Sequence, residues 1–260
     1  MTRSVPVRAA ATAAVAGVLV ATVSACGAAS AGDDTHPDHR SFALHGRTLT
    51  IDSDDSALEV VATDSVKAGT IEVTRWFQGS VVVGHDPTLR WSFQDDRHDR
   101  LVLRVHCSGF VAHCSARHRI EVPRGISVKV GNGDGGVRAH GFRDPLSVDT
   151  ADGSVRVTDS GGPLDLTSTD GSVRADVSSR RVRAGSTEGS VEVLLSGVPD
   201  LVDASSTDGS VTVAVPRGAY RVSAGSDDGA VSVSVPRDDR SPHRVSAHST
   251  DGEVTVRTGK

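Results

Sequence analysis

Aromatic side chains make up only 3% of this 260-residue chain, five Phe, two Trp and one Tyr, and there is a single Met. So few bulky groups exclude large helices packed around a ring-filled core, and they leave little of the stacking surface on which sugar-processing sites are built. Neither sign of charge dominates: 28 Lys and Arg stand against 33 Asp and Glu, a formal charge of −5. That balance carries no nucleic-acid footprint, and no nucleic-acid partner is expected. Apart from one run near the N-terminus there is no long apolar stretch and no evident helix. What is abundant is glycine, 27 residues, set among Val, Ser and Asp. Side chains this small must pack in a regular arrangement or not at all.

The apolar run follows Arg3 and Arg8 and extends from Ala9 to Ala25. A basic start before a short apolar segment is the layout of a secretory signal, too short and wrongly flanked for a stable span. It ends in Val23-Ser24-Ala25-Cys26, which resembles the lipobox of bacterial lipoproteins. That resemblance implies cleavage before Cys26, acylation of the new N-terminus and a stable membrane anchor. The alternative is an ordinary signal cleaved elsewhere, with Cys26 unmodified. Residues 1–25 are therefore read as a lipoprotein signal peptide. Residues 26–40, small, polar and charged, are read as a flexible tether reaching roughly 20 Å. The expected location is extracytoplasmic, anchored by lipid to the cell membrane of a bacterium.

Two further cysteines, Cys107 and Cys114, lie between the alternating runs Leu101–Val105 and Arg119–Val122. In an exported chain this pattern predicts a disulfide closing a β-hairpin. His106 and His113, each beside a cysteine, open a second reading as a zinc or copper site, and free thiols are a third. His98, His106, His113 and His118 all fall near this stretch and are read as surface-loop polarity rather than as a pH-sensing cluster.

From Val130 onward the chain repeats itself. An acidic residue followed by Gly recurs at Asp134-Gly135, Asp152-Gly153, Asp170-Gly171, Glu188-Gly189, Asp208-Gly209, Asp228-Gly229 and Asp251-Gly252, with intervals of 18, 18, 18, 20, 20 and 23 residues between the glycines. Both flanks of each pair alternate with period two, as in Leu146-Ser-Val148-Asp-Thr150 and Val155-Arg-Val157, so both are short strands. The apolar parity changes across the pair, so the chain turns there, and Gly is expected to supply the positive φ of a tight turn. Thr or Ser stands three positions before most of these glycines, and Val stands two after.

Two geometries fit. The acidic-Gly pair is either the loop of a hairpin in an antiparallel meander, setting Asp149 across from Arg156, or the corner of a β-solenoid in which equivalent residues stack about 4.8 Å apart. The solenoid is favoured, because in-register stacking places identical residues at identical positions. The fold class is thus all-β, a β-solenoid or β-helix-like stack over residues 124–260, a rod of roughly 30–35 Å. Residues 41–123 hold six of the eight aromatics and the cysteine pair. They read as an N-terminal β region with a bulkier core that caps the first coil.

The serial Ser/Thr-Asp-Gly-Ser-Val units, the lead-in Ile120-Glu-Val-Pro-Arg-Gly125 and the leading Phe42-x-Leu44 and Leu49-x-Ile51 resemble a bacterial "putative adhesin" family of unknown function. The resemblance covers about residues 41–260. It implies an extracytoplasmic β-solenoid-like protein and brings no catalytic residues with it.

Chemistry is sparse. Gly131-Asn-Gly133-Asp-Gly-Gly136 fits a dinucleotide fingerprint in letters, but the next residues begin a repeat and not a helix. There is no G-x-S-x-G, and no cofactor is expected. The column Asp134, Asp152, Asp170, Glu188, Asp208, Asp228 and Asp251 is a candidate Ca²⁺ site, since stacked carboxylates repel and a hard cation would neutralise them. The plainer reading is that Asp suits tight turns and stays solvated. A carbohydrate-active enzyme is the alternative class, weakened by two aromatics in the repeats.

The function expected is non-catalytic: an envelope protein presenting a repetitive β surface for adhesion or for interaction with protein or polymer. An envelope-stress structural or regulatory component is the alternative. Arg180, Arg181 and Arg183 are candidates for contacting anionic envelope polymers, against a solvated face. The last strand, Val254–Arg257, lacks an evident cap and is a candidate edge for self-association.

Overall fold

Alternation of apolar and polar residues makes strands along nearly the whole of the computed structural model, which describes Ala31 and residues 34–81, 87–93, 98–108 and 112–259. The strands are β1 (Asp38–Ala43), β2 (Thr48–Ser53), β3 (Ser56–Thr63), β4 (Thr70–Val81), β5 (Thr88–Phe93), β6 (Arg100–His106) and β7 (Ala112–Pro123). There follow β8 (Ser127–Asn132), β9 (Val137–His140), β10 (Leu146–Thr150), β11 (Val155–Thr158), β12 (Leu164–Ser168), β13 (Val173–Val177) and β14 (Arg181–Ser186). The last are β15 (Val191–Leu195), β16 (Leu201–Ser206), β17 (Val211–Val215), β18 (Arg221–Ser226), β19 (Val231–Val233), β20 (Arg244–Ser249) and β21 (Val254–Thr258).

They form two sheets, one of 11 strands in the order β1-β4-β7-β3-β9-β11-β13-β15-β17-β21-β19 and one of 10 in the order β18-β20-β16-β14-β12-β10-β8-β2-β6-β5. Within the repeats every neighbour is parallel and in register: Val148 pairs with Val130 and Leu166, and Val155 with Val137 and Val173. Asp149 therefore faces Gly131 and Thr167, and Arg156 faces Arg138 and Arg174. The fold is the solenoid and not the antiparallel meander. Each coil contributes one strand to each sheet and turns between them at the acidic-Gly corner.

Inward positions interleave in one core. Val128, Leu146, Leu164, Val182, Val202 and Val245 face it from one sheet, and Val137, Val155, Val173, Val191, Val211 and Val254 from the other, all nearly inaccessible to solvent. Burial of each such side chain contributes about 1.5–3 kcal/mol. The same core continues through Leu49, Ile51, Leu58 and Val60, so both sheets run unbroken past Pro123. With 11 strands at about 4.8 Å, the rod is about 50 Å long, more than the seven repeats alone would give.

At the N-terminal end the parallel stack stops. β4 is antiparallel to β7 and to β1, and β5 is antiparallel to β6. Phe42 of β1 packs edge-on against Trp91 and Phe93 of β5, with centroids 6.2 and 5.4 Å apart, closing the gap between the sheets. Arg40 and Arg75 lie over the Trp91 ring at 4.9 and 4.4 Å. β1 begins at Asp38, inside the segment expected to be tether, and the Asp34 carboxylate accepts the Phe77 amide at 3.0 Å. These last residues before Ser41 belong to the cap.

The corner glycines do not serve the purpose expected from the sequence. Positive φ among glycines occurs at Gly46, Gly69, Gly125 and Gly141, and at none of the seven acidic-Gly pairs. A Cβ on Gly153 would instead overlap the carbonyl of Gly135, one on Gly171 that of Gly153, and one on Gly189 that of Gly171. Close approach of successive coils requires glycine here, as it does where any two backbones meet.

The serine three positions before five of the seven glycines completes the corner. The Ser206 hydroxyl accepts the Gly209 amide at 3.0 Å and donates to the Gly189 carbonyl, one coil away, at 2.8 Å. Ser168, Ser186, Ser226 and Ser249 repeat the arrangement. A buried hydroxyl is thus satisfied twice and links each coil to the next.

The ladder also reveals the order of the coils at the far end. Ser249 donates to Gly209, and Ser226 donates to Gly252. The last coil in sequence, β20 and β21, lies between the coil of β16 and β17 and the coil of β18 and β19. β21, expected to be the open edge, has a neighbour on both sides. The outer strands of the rod are β18 and β19, and Val231 of β19 is among the few exposed large apolar residues.

Candidate binding surface

Outward positions of a parallel in-register sheet form columns along the rod. In the sheet containing β3 and β9–β15 odd strands, one column reads Arg119, Glu59, Arg138, Arg156, Arg174, Glu192, Thr212, Thr255. Each of its three central arginines is the residue after the Val that follows a corner glycine, so the repeat spacing alone stacks them. Like charges on neighbouring strands are destabilising unless compensated.

Compensation is confined to the two ends. Glu59 receives Arg117 at 2.7 Å and Arg119 at 2.9 Å, with His140 at 4.0 Å. Partial burial of Glu59 pushes its carboxyl up, but these cations outweigh it and hold the group below the usual carboxylate range. Glu192 is ion-paired to Arg174. Between them, Arg138 and Arg156 are exposed and, among the described residues, make no ion pair or side-chain hydrogen bond. Two shallow clefts of about 260 and 240 Å³ flank Arg156, one lined by His140 and Thr158, the other by Ser154 and Ser172.

The opposite sheet carries a larger groove of about 520 Å³ bordered by Lys129, Pro145, Pro163, Asp165, Arg181 and Arg183. Its charges alternate: Arg183 lies in register between Asp165 and Asp203. Arg180 donates to Asp200 at 2.7 Å, and that bond holds the Asp200 carboxyl low. Of the arginines singled out in sequence, Arg180 and Arg183 thus have acidic neighbours, and Arg181 is exposed at the groove rim.

The acidic column is solvent-exposed at Asp134, Asp152, Asp170, Glu188, Asp208, Asp228 and Asp251. Among the described residues, no group of three or more His, Cys, Asp or Glu is placed to hold a metal ion. The backbone amides of these residues bond to the adjacent coil, as Asp170 does to Ala151 and Asp208 to Thr187, each at 2.9 Å. At the N-terminal end of the column Asp55 is pushed up by its burial and by the carboxylates of Asp134 and Asp54.

Cys107 and Cys114 form a disulfide with Cα atoms 6.3 Å apart. It does not close a hairpin: β6 and β7 on either side belong to different sheets, so the bond staples a corner. His118 is a correction of another kind. It lies in β7, about 1% exposed, and desolvation together with the nearby Arg75 charge lowers its pKa to about 4. His98 stacks on His45 at 4.9 Å. Cys26 and the signal segment lie outside the described residues. Among those described, no helix is long and apolar enough to cross a membrane.

A two-sheet parallel solenoid capped at its N-terminal end defines the class of protein. The chain belongs to the Toastrack DUF4097 family, whose model matches residues 30–260. A comparison with curated proteins gives no match. Among solved structures, it is similar to a "putative adhesin" from Bacteroides fragilis at 15% identity and a TM-score of 0.49, covering 87% of this chain and 98% of that one. It is also similar to a "putative cell adhesion protein" from Clostridium sporogenes at 12% identity and a TM-score of 0.39, covering 86% and 100%.

Proposed function

We propose that this protein is an extracytoplasmic envelope component, anchored through a lipidated Cys26, that binds partner molecules on the outer faces of its solenoid and does not transform them. The observation that carries the reading is the register. Parallel coils turn single outward residues into continuous columns about 4.8 Å per step, a surface suited to extended, repetitive partners. The basic-then-apolar N-terminus and the sequence Val23-Ser24-Ala25-Cys26 support the anchor. The disulfide accords with an oxidising compartment.

Metabolic labelling with a tagged fatty acid, followed by fractionation, tests the anchor. Label on the wild type, its loss in Cys26→Ser and release of that variant from the membrane are expected. A Cys26→Ser protein that stays membrane-bound would overturn the anchoring. Retention of isolated envelope material by the immobilised mature rod tests the binding role, and a rod that retains nothing would overturn it.

A further inference from the structure

Given that binding role, we propose that Arg138, Arg156 and Arg174 form a binding stripe for a linear acidic polysaccharide carrying one carboxylate per sugar, lying along the rod axis. The three guanidinium-bearing positions recur once per coil, about 4.8 Å apart, a step comparable to the length of one sugar residue. A polymer with one charge per residue keeps step with the coils. One with a longer repeat drifts out of register within the stripe.

The cost of stacking like charges is left unrelieved at the centre. Arg156 lies between two arginines, and Arg138, in register with Glu59 on its other side, makes no ion pair among the described residues, while Glu59 is held by Arg117 and Arg119 and Glu192 by Arg174. A carboxylate of the ligand would relieve it, taking two parallel N–H···O bonds from a planar guanidinium. The lining of the flanking clefts fits the rest of such a chain: Ser154, Ser172, Thr158 and His140 offer donors and acceptors for sugar hydroxyls. No Phe, Tyr or Trp lines either cleft, so charge more than stacking must carry recognition, which favours an acidic over a neutral glycan. The opposite sheet has no row of consecutive arginines, since Arg183 lies in register between Asp165 and Asp203, and it serves as an internal control.

The test is calorimetric titration of the mature protein at low salt with an oligogalacturonate, a neutral oligogalactose of equal length and a poly(glycerol phosphate). The wild type is expected to bind the oligogalacturonate, more weakly as salt is raised, and not the neutral glycan. A single galacturonate is expected to bind far more weakly than a chain spanning all three arginines. Arg138→Gln/Arg156→Gln should weaken binding about tenfold or more, and Arg181→Gln/Arg183→Gln by less than about twofold. Equal loss in both variants, or binding of poly(glycerol phosphate) alone, overturns the proposal, as does the absence of binding to any of the three. The envelope-retention experiment separates the two levels. If the wild type retains envelope material and Arg138→Gln/Arg156→Gln retains as much, the stripe assignment fails and the general binding role stands.

Discussion

Gly171 and Gly185 lie in the same repeat, and the structure assigns them different consequences. A Cβ on Gly171 would overlap the backbone of Gly153, whereas one on Gly185 would meet nothing nearer than 3.6 Å. Gly171→Ala is expected to cost about 1–3 kcal/mol in denaturant unfolding, and Gly185→Ala less than about 1 kcal/mol. Ser206→Ala, which strands the Gly209 amide and the Gly189 carbonyl, is expected to cost about 1–3 kcal/mol. At His118 the folded pKa lies near 4, below the ordinary value of 6.5, so protonation favours the unfolded chain. Stability from this group is full above pH 6.5 and is lost as pH falls toward 4, on the order of 3 kcal/mol in total. His118→Leu should flatten that part of a stability-against-pH curve. The sequence displayed the corner glycines plainly but not their reason, because a positive-φ turn and a carbonyl pressed against the Cα leave the same letter. Arg138, Arg156 and Arg174 were equally visible, one place after each Val, yet only the parallel register makes a column of them.

Strands and corners were legible because period-two alternation and the Ser-Asp-Gly spacing are local. The order of coils was not. β18 reads Arg-Val-Ser-Ala-Gly-Ser and β20 reads Arg-Val-Ser-Ala-His-Ser, differing only at Gly225 and His248, so the letters do not say which of them lies against β16. In the structure β20 lies there, with Arg244 opposite Leu201, and β18 stacks outside it. The hairpin expected around Cys107 and Cys114 failed for a related reason: two alternating runs joined by a short link describe a sheet-crossing corner as well as a hairpin. Closing so short a loop constrains the unfolded chain modestly. Cys107→Ser/Cys114→Ser is expected to lose about 2–3 kcal/mol, read as a lowered melting temperature, and thiol titration of the denatured wild type without reductant should find neither cysteine free.

For the molecule as a whole, the rod grows outward from a middle. β2 and β3 are covered on one side by β6 and β7 and on the other by β8 and β9, and at the far end β20 and β21 enter between coils already made. Removing residues 240–260 should therefore do more than shorten the rod by one level. It would part the coil of β18 and β19 from its neighbour, and limited proteolysis is expected to cut between residues 216 and 239 while the coils up to β17 stay protected. Uniform resistance of the truncated protein would contradict the observed order.

That late insertion makes the coil of β20 and β21 a keystone. A chain emerging in order from N to C can lay down coil upon coil, but the outermost pair has no native neighbour to rest on until β20 and β21 arrive. A product lacking residues 240–260 would bare the backbone edges of β16 and β17, the kind of unpaired surface that invites aggregation or degradation. The position of β20 and β21 thus gives the protein a way of reporting, in its own stability, that this coil has been made.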